Sequence, residues 1–177
     1  MSCQITEGYD KVCDAPGGVA TFYAFPVKNS SGVSNYASFT SSAGAVTALT
    51  LETGVYAYPF NVEIETASFN DKAIGERTNG AYGREQSGTA MLHGNTASMI
   101  VNIEAMCKSR HAIIAKLNDD TYELFFRENG AKVSDDRATG TAYEDMNGTT
   151  LTFAGKEKTK ALKIDSSIVL ALLEPAS

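Results

Sequence analysis

A chain of 177 residues, 43% apolar and 20% charged, is long enough to bury a core and too apolar for a disordered tail, so we read 1–177 as one domain. Its formal charge of −6 argues against nucleic-acid binding by a generally basic surface. No apolar run is long enough to span a bilayer, and the opening MSCQITEGYD lacks the basic-then-apolar layout of a secretory signal.

Residues 3–18 read as a hairpin or ordered arm closing on Pro16-Gly17-Gly18. Cys3 and Cys13 either meet across it or stay free thiols in a reducing cytoplasm, the reading preferred here. Val19 to Val27 predicts a strand that is apolar on both faces, with Pro26 ending its pairing or marking an edge. Residues 28–44 are rich in Ser, Gly and Asn and carry two readings. One is a long mobile loop; the other is an arm that orders on a neighbouring subunit, with Tyr36 and Phe39 as anchors. Val46 to Leu51 is a short strand. Tyr56, Tyr58, Phe60, Val62 and Ile64 alternate with polar or small residues, which predicts a strand with Glu63 and Glu65 side by side on its polar face.

Asn79-Gly80 signals a turn. Ala81 to Leu92 has little apolar alternation and reads as a weak strand, at an edge or lining something wet. Asn95 to Phe126 carries the clearest signal in the chain. Asn95 caps a helix whose face is Met99, Ile100, Ile103, Met106 and Cys107, and Lys108 and Arg110 place positive charge at its end. His111 to Leu117 and Thr121 to Phe126 follow as strands about the Asn118-Asp119-Asp120 turn. Beyond Asn129-Gly130, Ala131 to Ser134 pairs briefly and Asp135-Asp136-Arg137 reads as a solvated charged turn. Tyr143 to Asn147 suggests one helical turn. Leu151 to Phe153 is a strand that Gly155 breaks; a basic cluster of Lys156, Lys158 and Lys160 follows, then strand character from Ala161 to Ile164. Ile168 to Leu173 closes the chain, preferred as a strand over a short helix.

The fold class expected is therefore mainly β with one packed α-helix, the helix lying across one face of a mainly antiparallel sheet. The chemistry is sparse. There is no Cys-x-x-Cys pair, no nucleophile elbow, no phosphate loop and no dinucleotide fingerprint. His93 and His111 stand outside any metal-ligand spacing and read as polar boundary residues, and Cys107 reads as a small core residue. No catalytic residue, metal or cofactor is expected, and the chain is read as something other than an enzyme.

Two stretches carry a resemblance. The first is Cys3-Gln-Ile-Thr-Glu-Gly8 with Cys13 and Gly17-Gly18. The second runs from Glu128-Asn-Gly130 through Thr139-Gly-Thr-Ala142, Asp145 and Asn147-Gly148 to Leu151-Thr-Phe-Ala-Gly155 and Glu157. Together they resemble small virion structural proteins of tailed bacteriophages, of the tail-tube (major tail protein) kind. The resemblance implies a tube-forming β-sandwich or barrel whose copies close into rings, typically hexamers, stacked around a channel. The implied partners are the chain itself and other tail or neck proteins, with DNA passing through without specific binding and no membrane anchor. The implied location is the virion tail, after synthesis in the bacterial host cytoplasm. Glu63 and Glu65 would then face a lumen that repels phosphate. The alternatives are another virion component (head decoration, neck or baseplate) and a soluble β-rich binding domain.

Overall fold

Alternating apolar residues make two strands, β1 (Val19–Pro26) and β7 (Arg110–Leu117), the middle of the fold. They pair antiparallel, from Phe22 opposite Ala115 to Pro26 opposite His111, with a bulge near Val19. The computed structural model describes Gly8 and residues 16–175; Cys3, Cys13 and most of the expected 3–18 hairpin lie outside the described residues. Both faces of the β1–β7 pair are covered. Phe22, Ala24, Ile113 and Ala115 enter one apolar cluster, and Phe25, Val27, Ala112 and Ile114 enter another. Period-two side-chain direction explains the partition, and it agrees with the two apolar faces expected for this strand.

Chain order adds β2 (Tyr36–Ser42), β3 (Ala45–Leu51), β4 (Tyr58–Asn61), β5 (Ala67–Ile74) and β6 (Gly83–His93) before the first helix, α1 (Ala97–Lys108). After β7 come β8 (Tyr122–Phe125), β9 (Ala131–Ala138), β10 (Gly148–Glu157), β11 (Leu162–Ile164) and a short helix, α2 (Ser166–Ala171). The sheet forks at β7. Its Ile113–Lys116 stretch pairs with β8, while Arg110 and His111 pair with β9. One limb runs β8-β11-β3-β2 and the other β9-β10-β6-β5, while β4 lies outside β1. All named strand pairs are antiparallel except β11 with β3. The fold is thus mainly β, as the sequence predicts.

Each helix covers one cluster. Ile103 and Met106 bury the inner face of α1, but Ile100, expected on that face, is exposed. The cap is Thr96, one residue later than expected, whose hydroxyl accepts from the Met99 amide at 3.3 Å. The closing apolar run is helix α2 and not the preferred strand. Asp165 caps it, accepting from the Ser167 amide at 2.8 Å, and Val169 and Leu172 enter the second cluster. The Asp-Ser-Ser start was the available signal, since an Asp cap favours helix where periodicity over six residues is silent.

Other expectations are corrected. Ala81 to Leu92 is no edge: β6 lies between β5 and β10, with Gln86, Gly88, Ala90 and Leu92 buried. Its inner face is small because Phe69 of β5 fills the space; a Cβ on Gly88 would stand 2.2 Å from that ring. Asp135-Asp136-Arg137 lies inside β9, not in a turn. Gly155 does not break its strand, since β10 runs on to Glu157. Residues 143–147 form a turn, with Asp145 accepting from the Thr141 and Ala142 amides, each at 2.7 Å.

Candidate functional site

The residues proposed from sequence fall in three places. Tyr36 and Phe39 are not anchors on a free arm. They belong to β2, which forms a hairpin with β3, and both pack on the second cluster. The Tyr36 ring meets Phe25 edge-on at 5.8 Å and its hydroxyl donates to the Arg127 carbonyl at 2.8 Å. Burial pushes the Tyr36 phenol pKa up. The Arg127 guanidinium lies over the Phe39 ring at 4.5 Å. These contacts commit both aromatics to their own subunit, and only 28–35 remains as a loop.

Glu63 and Glu65 do not lie on a strand. Pairing of β4 ends at Asn61, and the chain turns at residues 63–66, where the Thr66 amide and hydroxyl both return to the Glu63 carbonyl. Glu65 takes φ of 65°, a left-handed conformation that swings it out of the alternation. Ile64 is 72% exposed between the two carboxylates, so the apolar alternation stops at Val62.

Tertiary folding builds two concavities that the sequence reading missed. The first is a groove of about 660 Å³ between α1 and β4, walled by Phe60, Leu92, Met99 and Met106 and including both His93 and His111. His111 is 8% exposed, and its Nδ1 has no hydrogen-bond partner among the described residues. Burial lowers its pKa, opposed by the Ser109 backbone, so the ring is neutral at pH 7. Among the described residues the groove lining includes no carboxylate beside the imidazole.

The second is a cleft of about 600 Å³ where Lys28, Arg110, Lys132 and Lys156 converge from four segments over Val27, Ala154 and Gly155. Glu85 and Asn129 complete it. Of the expected basic cluster only Lys156 lines the cleft, because β10 ends at Glu157 and Lys158 and Lys160 lie beyond the strand. Among the described residues none of the four cations is in an ion pair. The Arg110 guanidinium donates to the Gly130 carbonyl at 3.3 Å.

Buried polar groups between these places hold the fork. The Phe126 amide donates to Gln86 Oε1 at 2.6 Å, and Glu157 accepts from the Glu128 and Asn129 amides at 2.9 and 3.0 Å. Burial raises the Glu157 pKa despite those bonds. Asp71 meets Arg84 Nε at 2.9 Å, with side chains 8% and 11% exposed, and accepts from the Ala161 amide at 2.8 Å. Burial raises the Asp71 pKa, but its hydrogen bonds to Arg84, Ala161 and Gln86 outweigh it and the net shift is downward. A depressed pKa supplies stability above the unfolded value of about 3.9, lost as pH falls through the folded value. Asp71→Asn is expected to cost about 1–3 kcal/mol at pH 7. The gap should close as the medium is acidified below pH ~4, as read by urea unfolding at each pH. A gap that persists at low pH would mean the Asp71 charge is not responsible. Glu157 acts with the opposite sign, since its raised pKa makes ionisation costly as pH rises.

A scan against protein-family models matches none, and searches of curated proteins and of solved structures return no match.

Proposed function

We propose that the chain is a self-assembling structural subunit of the bacteriophage tail-tube kind, stacking in rings around a channel. The observation that carries the reading is the open sheet: its path ends at β2 on one limb and β5 on the other, and no described strand pairs with the outer edge of either. Long unpaired edges are a liability that closed rings remove, because each edge is paired by a neighbour. The acidic net charge is also compatible with a wall that does not grip DNA.

The test uses the edge itself. The Met91 amide donates to the Thr66 carbonyl, so in the β5–β6 register the amides of Ala67, Phe69, Asp71 and Ala73 point outward. Ala73 is exposed, so Ala73→Pro removes an outward donor without touching the ladder to β6. By light scattering after size exclusion, with negative-stain microscopy, the parent is expected to form rings or tubes. The variant is expected to keep its fold by circular dichroism and to fall to monomer. Assembly unchanged in the variant would exclude the β5 edge as the contact.

A second reading, a binding domain for small apolar ligands that carry a hydrogen-bond donor, has the α1–β4 groove and the unpartnered His111 Nδ1 in its favour. A monomer at every concentration would favour it.

A further inference from the structure

The exposed turn and the basic cleft lie at opposite ends of the strands. The Val62 amide meets the Ala20 carbonyl and Ala67 lies opposite Ala90, so the Glu63-Ile64-Glu65 turn sits at the β1 start. Val27, Arg110, Glu85 and Lys156 sit at the other end of β1, β7, β6 and β10. The strand length between them is roughly 20 Å at the usual rise per residue.

Their chemistries match. The turn presents an exposed isoleucine between two carboxylates, none of the three residues buried, and among the described residues neither carboxylate is in an ion pair. The cleft presents four cations around a small apolar floor of Val27, Ala154 and Gly155, with Glu85 as its one opposing charge. Within one copy the two cannot meet, because the sheet separates them. We propose that the Glu63-Ile64-Glu65 turn of one copy docks in the Lys28–Arg110–Lys132–Lys156 cleft of the next, and that this is the contact by which layers stack.

The inference rests on the self-assembly reading and names its axial contact. A turn at one end and its receptor at the other make a heterologous contact, which propagates in one direction and gives every layer the same polarity. Ile64 covers the apolar floor while Glu63 and Glu65 approach the lysines and Arg110. Three of the four cations are lysine, whose flexible stems adjust to carboxylates on a turn without demanding a planar fork. Because the charges sit at the surface, the contact weakens as salt shortens the screening length.

The experiment is a charge exchange read by sedimentation velocity and negative-stain microscopy. Glu63→Lys with Glu65→Lys, and separately Lys132→Glu with Lys156→Glu, are each expected to abolish stacked species. The four substitutions in one chain are expected to restore them, because the pairing is then complementary with the signs reversed. Loss in both pairs without restoration would overturn the docking. If the parent assembles and neither pair changes it, the docking is overturned while the self-assembly reading stands. A labelled peptide spanning residues 58–68 covers the remaining case. If the parent stays monomeric but the peptide binds it, and binding is lost in the Lys132→Glu/Lys156→Glu variant, the recognition stands and the assembly reading falls. If the parent stays monomeric and the peptide does not bind, both fall.

Discussion

Phe153→Ala is expected to lower the unfolding free energy by about 3–5 kcal/mol. Phe153 is fully buried in β10, with its ring 5.6 Å from Phe22 in an edge-on contact and 5.4 Å from Phe69. Phe22 in turn stacks on Phe60 at 4.9 Å, so one ring ties β10, β1, β5 and, through Phe22, β4. Removing it deletes transfer energy and opens a cavity among rings attached to different strands, which cannot all close on it. Domains of ordinary stability have about 5–15 kcal/mol in total, so the loss would be a large fraction. Equilibrium urea unfolding should show a lower midpoint with the slope unchanged. A loss below about 1 kcal/mol would mean that this cluster is not packed as described.

Gln86→Leu is expected to cost about 1–3 kcal/mol although the volume barely changes. Gln86 is 1% exposed, and its Oε1 accepts the amide of the fully buried Phe126. Phe126 has φ of 55°, because the chain must leave β8 there and return as β9 on the same side of β7. Leucine would leave that amide without a partner at a residue held in the left-handed region. Gln86→Ala should cost more, since a cavity is added to the lost bond. Ser87→Ala, one residue along and exposed, should stay within about 0.5 kcal/mol. Hydrogen exchange gives an independent reading: the Phe126 amide should lose protection in both Gln86 variants. Equal effects at Gln86 and Ser87 would mean that the fork is held by other contacts.

Much of this fold is legible in the residues because local patterns agree with the tertiary result. The doubly apolar run from Val19, the capped helix before His111 and the hairpin about Asn118 all predict elements that the structure contains. β5 was not anticipated because Asn70, Asp71 and Lys72 interrupt its apolar character, although its partner, β6, is the next strand in the chain. β6 reads as a weak strand, at an edge or lining something wet, because its second partner, β10, is distant in sequence. The inner face of β6 is Gln86, Gly88, Ala90 and Leu92, which looks unpromising until Phe69 is placed against Gly88. The Ser-rich 36–42 stretch looked like an arm because its outward face is polar; Tyr36 and Phe39 alone turn inward.

The candidate sites were less legible than the fold. Lys28, Arg110, Lys132 and Lys156 are far apart in sequence and converge only because β1, β7, β9 and β10 end together. His93 and His111 likewise meet at one groove only because α1 carries the chain from the end of β6 to the start of β7. By itself the sequence determined a β-rich chain with a covering helix, since periodicity and capping act over a few residues. Tertiary structure alone decided the fork at β7, the clefts and the exposed Glu63-Ile64-Glu65 turn. Those depend on which distant strands find one another and on where the backbone turns.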